Sequence, residues 1–567
     1  MTDAVLPEAP AERSILGWAI RSPLAYALIL LLGLALFLPG FTTLPAVDRD
    51  EARFAQSSRQ MLESRDFLHI RFQDDARLKK PVGIYWLEAA ATALAGGEDA
   101  SNPVWTYRLP SLIGALGAML VTLWIGRRWF GAEAGFLGAA ILGTCLLLGY
   151  EARQAKTDAF LLLTILVAIG ELAAAWIPGP AGSALPRYRW VTFWAAIGIG
   201  ILIKGPIILF VVGLTAATLA IIDRGVGWLR RLRPWPGIAI AAAIALPWLI
   251  AITIATKGAF LTESVGADMA SKLAGAQESH GAPPGSYLAL LPVTFWPGSL
   301  FALLAIPWIW RNRRDRAVLF CLAWVVPAWL VLEFVPTKLP HYVLPLYPAL
   351  ALLAGAALAD RLARPAPGSR LTSGAWAALI LWALIGLALG VVLIVAAPLG
   401  DHRPSIRGIL AGLAILGLAT GVAWLMRRGE RLRAAAAMFV GAALIWGLVF
   451  GAALPALEAP WIAPRLKEAL FEALPTGHGP IFIAGYAEPS ATVAFGTATK
   501  FGSGSDAADF LTTHPDGIAI VEADQKGAFY SRLGDAAATL QKIVTVDGYN
   551  YAKGKRVSLA IYRKAGA

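Results

Sequence analysis

Residues 22–62, SPLAYALILLLGLALFLPGFTTLPAVDRDEARFAQSSRQML, set the uncharged run 22–41 shortly before Asp48, Arg49, Asp50, Glu51 and Arg53. A helix crosses a bilayer with about 20 mostly apolar residues, so 22–41 reads as a membrane span with a charged foot. Roughly thirteen such runs recur along the chain. They lie near 22–41, 109–126, 132–150, 158–177, 190–203, 206–222, 236–256, 286–310, 317–334, 342–360, 374–397, 406–426 and 434–455. With 57% hydrophobic residues and a mean hydropathy of +0.62 over 567 residues, a soluble enzyme is excluded. The expected fold class is mainly α: a polytopic helical membrane domain.

The first run has no small-residue cleavage site and further spans follow it, so it reads as a retained anchor. Cys145 and Cys321 both fall inside spans, which argues against a disulfide or a cysteine metal site. The net charge of +12 fits basic cytoplasmic loops and not nucleic acid. With a cytoplasmic tail at 1–21, every second connection is basic, among them Arg127 and Arg128, "RNRRDR" at 311–316, and Arg427, Arg428, Arg431 and Arg433. An odd number of spans within a membrane domain at 22–455 then places the carboxy terminus outside. Long outer connections remain at 42–108 and 257–285, the first with amphipathic stretches at 50–63 and 80–96. From 456 to 567 short β-rich runs alternate with helical ones, as in a small α/β domain.

Charges beside spans are expensive unless they face water or one another. Asp50 and Glu51 suit either a helix cap or substrate contact. A carboxylate at the mouth of an apolar groove orients or deprotonates a hydroxyl. Lys79 and Lys80 nearby can hold phosphate oxygens. A lipid-borne phosphate needs both cations and a greasy slot. His280, in the turn-rich "SHGAPPG", makes either a local hydrogen bond or a substrate contact. No Gly-x-Gly-x-x-Gly fingerprint or phosphate loop is present, and no cofactor is expected.

The segment "DRDEARFAQSSRQMLESRDFLHIRFQDDARLKKPVGIYWLEAAATALAG" at 48–96 resembles the first outer loop of the bacterial aminoarabinose transferase and protein-mannosyltransferase-like families, membrane glycosyltransferases of the GT-C class. The likeness rests on Asp50, Glu51, Arg53, Phe54 and Ala55, then Lys80-Pro81 and Tyr85-Trp86. It continues in order through "ARQAKTDAFLLL" at 152–163, "LIKGPI" at 202–207, "SHGAPPGSYLALLP" at 279–292, "TKLPHYVLPLYPALALL" at 337–353 and "YAEPSATVAFG" at 486–496. The resemblance implies that Asp50 is catalytic and that Asp158 is a second carboxylate near the sugar. It implies that Lys80 binds donor phosphate and that Tyr342 lines the same cavity. Lys204, Lys338 and Arg153 are further cations placed to share the phosphates.

The implied reaction passes a sugar, with inversion, from a polyprenyl-phosphate donor to an acceptor on the periplasmic side of a bacterial inner membrane. That acceptor is lipid A, another envelope glycan or a protein Ser/Thr. Where the aminoarabinose transferases carry a Glu and a His associated with a metal, this chain has Lys79 and Ser264. Neither suits a divalent ion, so no metal is expected there, and the sugar stays open. A transporter or lipid flippase is the alternative of another class, but no internal repeat of the kind transporters show stands out.

Overall fold

The computed structural model describes residues 15–96, 103–177, 186–269, 281–363, 371–475, 477 and 479–565. Each of the thirteen apolar runs contains helix. Their lengths differ from the expectation. Among the described residues, eight helices are long and apolar enough to cross a membrane, including Trp105–Trp129, Asp158–Trp176 and Ser373–Asp401. Leu24–Phe37, Ala132–Thr144 and Ile207–Ile222 are apolar but shorter.

The run 286–310 departs most from a simple span. It forms two helices, Ser286–Thr294 and Ser299–Asn312, bent by 120° about the break between them. Pro297 lacks an amide donor, and a break inside an apolar layer is tolerated only where neighbours satisfy the freed carbonyls. They do: the amide of Leu146 donates to the Trp296 carbonyl at 3.0 Å, and the indole of Trp382 donates to the Pro297 carbonyl at 2.9 Å. At Lys204-Gly205-Pro206 the chain turns between Arg187–Lys204 and Ile207–Ile222, with Gly205 at a φ of +66° that favours glycine.

Small residues let helices approach closely where lipid offers no hydrophobic drive to pack them. A Cβ added to Gly355 would lie 2.5 Å from the backbone nitrogen of Gly138, so Tyr347–Ala363 and Ala132–Thr144 touch main chain to main chain.

The first long loop folds as the helices Asp50–Ser64 and Gly83–Gly96, joined by a two-stranded hairpin, β1 (Arg71–Phe72) and β2 (Asp75–Ala76). After the last membrane helix, a five-stranded sheet has the order β4-β3-β5-β7-β6. Its strands are β3 (Ile481–Ala484), β4 (Lys500–Gly502), β5 (Ile518–Glu522), β6 (Leu540–Asn550) and β7 (Lys555–Lys564). β3 runs parallel to β4 and β5, whereas β7 pairs antiparallel with β5 and β6. Leu466 and Leu470 of Ile462–Ala473 pack with Ile483 and Ile520, while Leu511 and Phe529 pack with Ala519 and Val521.

Gly83 ties the first loop to the membrane helices. Its Cβ, if present, would sit 2.7 Å from the carbonyl oxygen of Leu202. The start of Gly83–Gly96 therefore rests on the end of Arg187–Lys204, bringing Lys80 and Lys204 to the same end of the bundle. Gly83→Ala forces these backbones apart and is expected to lower stability by about 1–3 kcal/mol. A thermal melt of the detergent-solubilised protein reads the loss, and an unmoved midpoint would show the contact to be loose.

Candidate active site

Two helix ends meet at the centre of the site. Asp158 is the first residue of Asp158–Trp176 and Lys204 the last of Arg187–Lys204, so each charge opposes the partial charge of its own helix terminus. Lys204 Nζ donates to Asp158 Oδ1 at 2.5 Å. Lys156 Nζ, buried, lies 3.1 Å from Glu151 Oε1 and 3.8 Å from Asp158 Oδ2. His341 closes the group, with Nδ1 3.8 Å from Glu151 and Nε2 3.9 Å from Asp158. The Tyr342 ring lies 5.8 Å from Lys204 Nζ and edge-on to His341 at 5.1 Å.

Asp50 opens the helix Asp50–Ser64 and is exposed at the lip of this cleft. The protein walls around it push its carboxyl up, but Lys156, then His341, Arg77 and Lys204, outweigh that and hold it below the usual carboxylate range. Burial, with Asp158 adding to it, raises Glu151 against the pull of Lys156. Lys156 stays protonated: burial opposes its charge, and Glu151 and Asp158 overcome that.

Arg77 is steered by Tyr85, whose hydroxyl accepts from Arg77 Nε at 3.1 Å, and it lies over the Phe54 ring. Tyr85 itself is fully buried, so it orients a cation instead of facing substrate. Arg53 sits one helical turn beyond Asp50 and is half-buried; Lys79 is exposed and Lys80 half-buried. His280 lies outside the described residues.

Three charges expected at the substrate are engaged elsewhere. Glu51 is buried against Arg108, accepting from Nε at 2.7 Å and Nη2 at 3.0 Å, and it also accepts from the amides of Val47 and Ala155. Arg153 is buried, its guanidinium donating to the carbonyls of Pro39, Gly149 and Leu36 and stacked on Phe450. Lys338 donates to the carbonyls of Glu333 and Val335, capping the helix Arg316–Phe334. All three brace the walls because their polar atoms are already satisfied by protein.

Lys156, Glu151, Arg77 and His341 also stand at this cluster, although the sequence singles none of them out as a site residue. Lys156 lay two positions before Asp158 in "ARQAKTD", where its spacing was the available signal.

Glu151, Asp158 and His341 present ligand atoms within 4.8 Å of one another, close enough for a metal ion. The ammonium groups of Lys156 and Lys204 already neutralise those carboxylates, and a divalent ion there would sit against two fixed positive charges. Lys79 and Ser264 offer no better ligands. Protein washed with chelator is therefore expected to retain full transfer activity and no stoichiometric zinc, as measured by elemental analysis; retained equimolar metal would refute this. Glu51→Ala strands Arg108 as a buried charge and should cost about 3–5 kcal/mol, seen as a fall in the thermal midpoint.

A family model described as dolichyl-phosphate-mannose-protein mannosyltransferase matches residues 79–250. The chain is 28% identical over 421 residues to the undecaprenyl phosphate-alpha-4-amino-4-deoxy-L-arabinose arabinosyl transferase of Erwinia tasmaniensis, covering 70% of this chain and 72% of that one. The match to the like-named enzyme of Pseudomonas aeruginosa is 28% over 317 residues, and there the chain spans about half the relative's length, 56%. In fold it is similar to ArnT from Cupriavidus metallidurans bound to undecaprenyl phosphate, with a TM-score of 0.74 at 20% identity over 96% of this chain and 98% of that one. The apo form of the same protein gives 0.71. Family model, relatives and fold point the same way: this multi-pass membrane protein has the GT-C fold and is similar to the aminoarabinose transferases and protein-mannosyltransferase-like membrane glycosyltransferases.

Proposed function

We propose that the chain transfers a sugar from a polyprenyl-phosphate donor, of the undecaprenyl phosphate kind, to an acceptor at the periplasmic face of the bacterial inner membrane, with inversion at the anomeric carbon. Lipid A or another envelope glycan is the acceptor class we favour. The observation that carries this reading is the meeting of Asp50, Asp158, Lys204 and Tyr342, from four distant parts of the chain, at one end of an apolar helix bundle. The arginine-rich connections, including Arg311, Arg361 and Arg427, lie at the far ends of their helices and support a cytoplasmic placement of that end.

In the displacement, an acceptor oxygen attacks the anomeric carbon as its bond to the donor phosphate oxygen breaks, and the lipid phosphate leaves as an anion. Lys80, Lys79 and Arg53 at the mouth are the groups we assign to that phosphate. Charge developing on the leaving oxygen is what such cations stabilise. Asp50, ionised and ringed by cations, is a weak base but a strong negative charge. It suits orienting the acceptor and stabilising an oxocarbenium-like sugar. An acceptor that is itself a phosphate needs no base at all. Where the acceptor is a hydroxyl, Glu151, with its raised affinity for a proton, is the better sink.

Mass spectrometry of envelope lipids and glycans, with and without the gene, identifies sugar and acceptor together. In membranes of complemented cells, Asp50→Asn is expected to lower the rate of the gene-dependent product by about 100-fold or more, while binding of undecaprenyl phosphate changes little. Transfer at the wild-type rate would remove Asp50 from the mechanism, and the lack of any gene-dependent product would overturn the proposal.

A further inference from the structure

Asp50 carries a peculiarity. Cations surround its carboxylate, and the backbone beneath it sets the point from which the side chain reaches them. That backbone is unusual. Arg49, directly before it, adopts a φ of 69° and a ψ of −89°, a conformation that non-glycine residues rarely hold unless the surroundings impose it.

The surroundings come from the far end of the chain. The amide of Asp48 donates to the Tyr551 hydroxyl at 2.6 Å. The amide of Ser490 donates to Asp48 Oδ1 at 2.8 Å, and Arg49 Nη2 donates to the Ala552 carbonyl at 2.8 Å. Tyr551 and Ala552 form the turn between β6 and β7. That turn is itself braced: Asn550 donates to Glu488 at 2.8 Å, tying it to the Ser490 stretch, and the Tyr551 ring stands edge-on to Trp461 at 6.4 Å. Trp461 in turn donates to the Leu454 carbonyl at 2.8 Å, just past the last membrane helix. Two residues of the first loop are thus held on three sides by a unit some 440 to 500 positions away, as those bonds' sequence separations show.

We propose that Asp48 and Tyr551 are positioning residues for Asp50: the β6–β7 turn fixes the bend from which the Asp50 carboxylate reaches the cleft. This rests on Asp50 acting in sugar transfer. A carboxylate misplaced by about 1 Å can cost on the order of 100-fold in rate without altering what binds. The effect belongs to the turnover rate and not to donor affinity, because the cations assigned to the phosphate are not part of the latch.

The test uses the full-length protein in membranes of gene-deletion cells, with the polyprenyl-lipid extract of the same cells as donor and the gene-dependent glycan product as readout. Wild type and Asp50→Asn set the upper and lower limits. Tyr551→Phe and Asp48→Ala are expected to run about 10-fold or more slowly at saturating extract, with half-saturation and thermal midpoint close to wild type. Asp48→Asn keeps an oxygen for the Ser490 amide and should recover most of the rate. Wild-type rates in Tyr551→Phe and Asp48→Ala overturn the proposal, as does a change confined to half-saturation, an Asp48→Asn protein as slow as Asp48→Ala, or a loss matched by loss of folded protein. If Tyr551→Phe does not insert, the Asp48 pair decides. Absence of product from wild type instead refutes the transferase reading itself, and slow latch variants beside an unaffected Asp50→Asn refute Asp50's role.

Discussion

Glu51 and Arg108 must be buried together or not at all. Neither side chain exposes any surface, and a lone charge in that position would be several kcal/mol out of balance. Arg108 also donates to the carbonyls of Phe41, Leu44 and Pro45, the turn that follows the first membrane helix. One guanidinium therefore gathers that turn, the start of the helix Asp50–Ser64 and its own membrane helix into a single knot. Glu51 meanwhile accepts from the amide of Ala155, which draws in the segment bearing Lys156 and Asp158. Two carboxylates adjacent in sequence have opposite fates: Glu51 is spent on the knot, and Asp50 is left facing the cleft.

The charges beyond the knot are balanced in kind. Asp50, Glu151 and Asp158 stand among Lys156, Lys204 and Arg77. Within this cluster Asp50 is held in its charged form, whereas Glu151 is pushed toward its protonated one.

Much of this was legible in the residues alone. Each apolar run holds helix because hydropathy and length report directly on the cost of burying a backbone in lipid. Asp50, Asp158, Lys204 and Tyr342 were legible through ordered motifs, and the structure brings them together. The bend after Thr294 was not, because an apolar run reads the same straight or folded; what supports it is the Leu146 amide and the Trp382 indole, contributed by remote segments. The same limit explains Glu51, Arg153 and Lys338. A charge in sequence does not announce its partner, and here the partners are a distant arginine and several main-chain carbonyls. Lys156 is the converse case: its place beside Asp158 in sequence does not distinguish a buried, doubly paired ammonium from a solvated loop charge.

The pairing of Asp158 with Lys204 joins the beginning of one rod to the end of the next. Both charged tips end helices, so the depth of this ion pair is measured off by helical rise and not by the slack of a connecting segment. Lengthening or shortening either rod by one turn would shift its charged tip along the bundle by about 5.4 Å and part the pair.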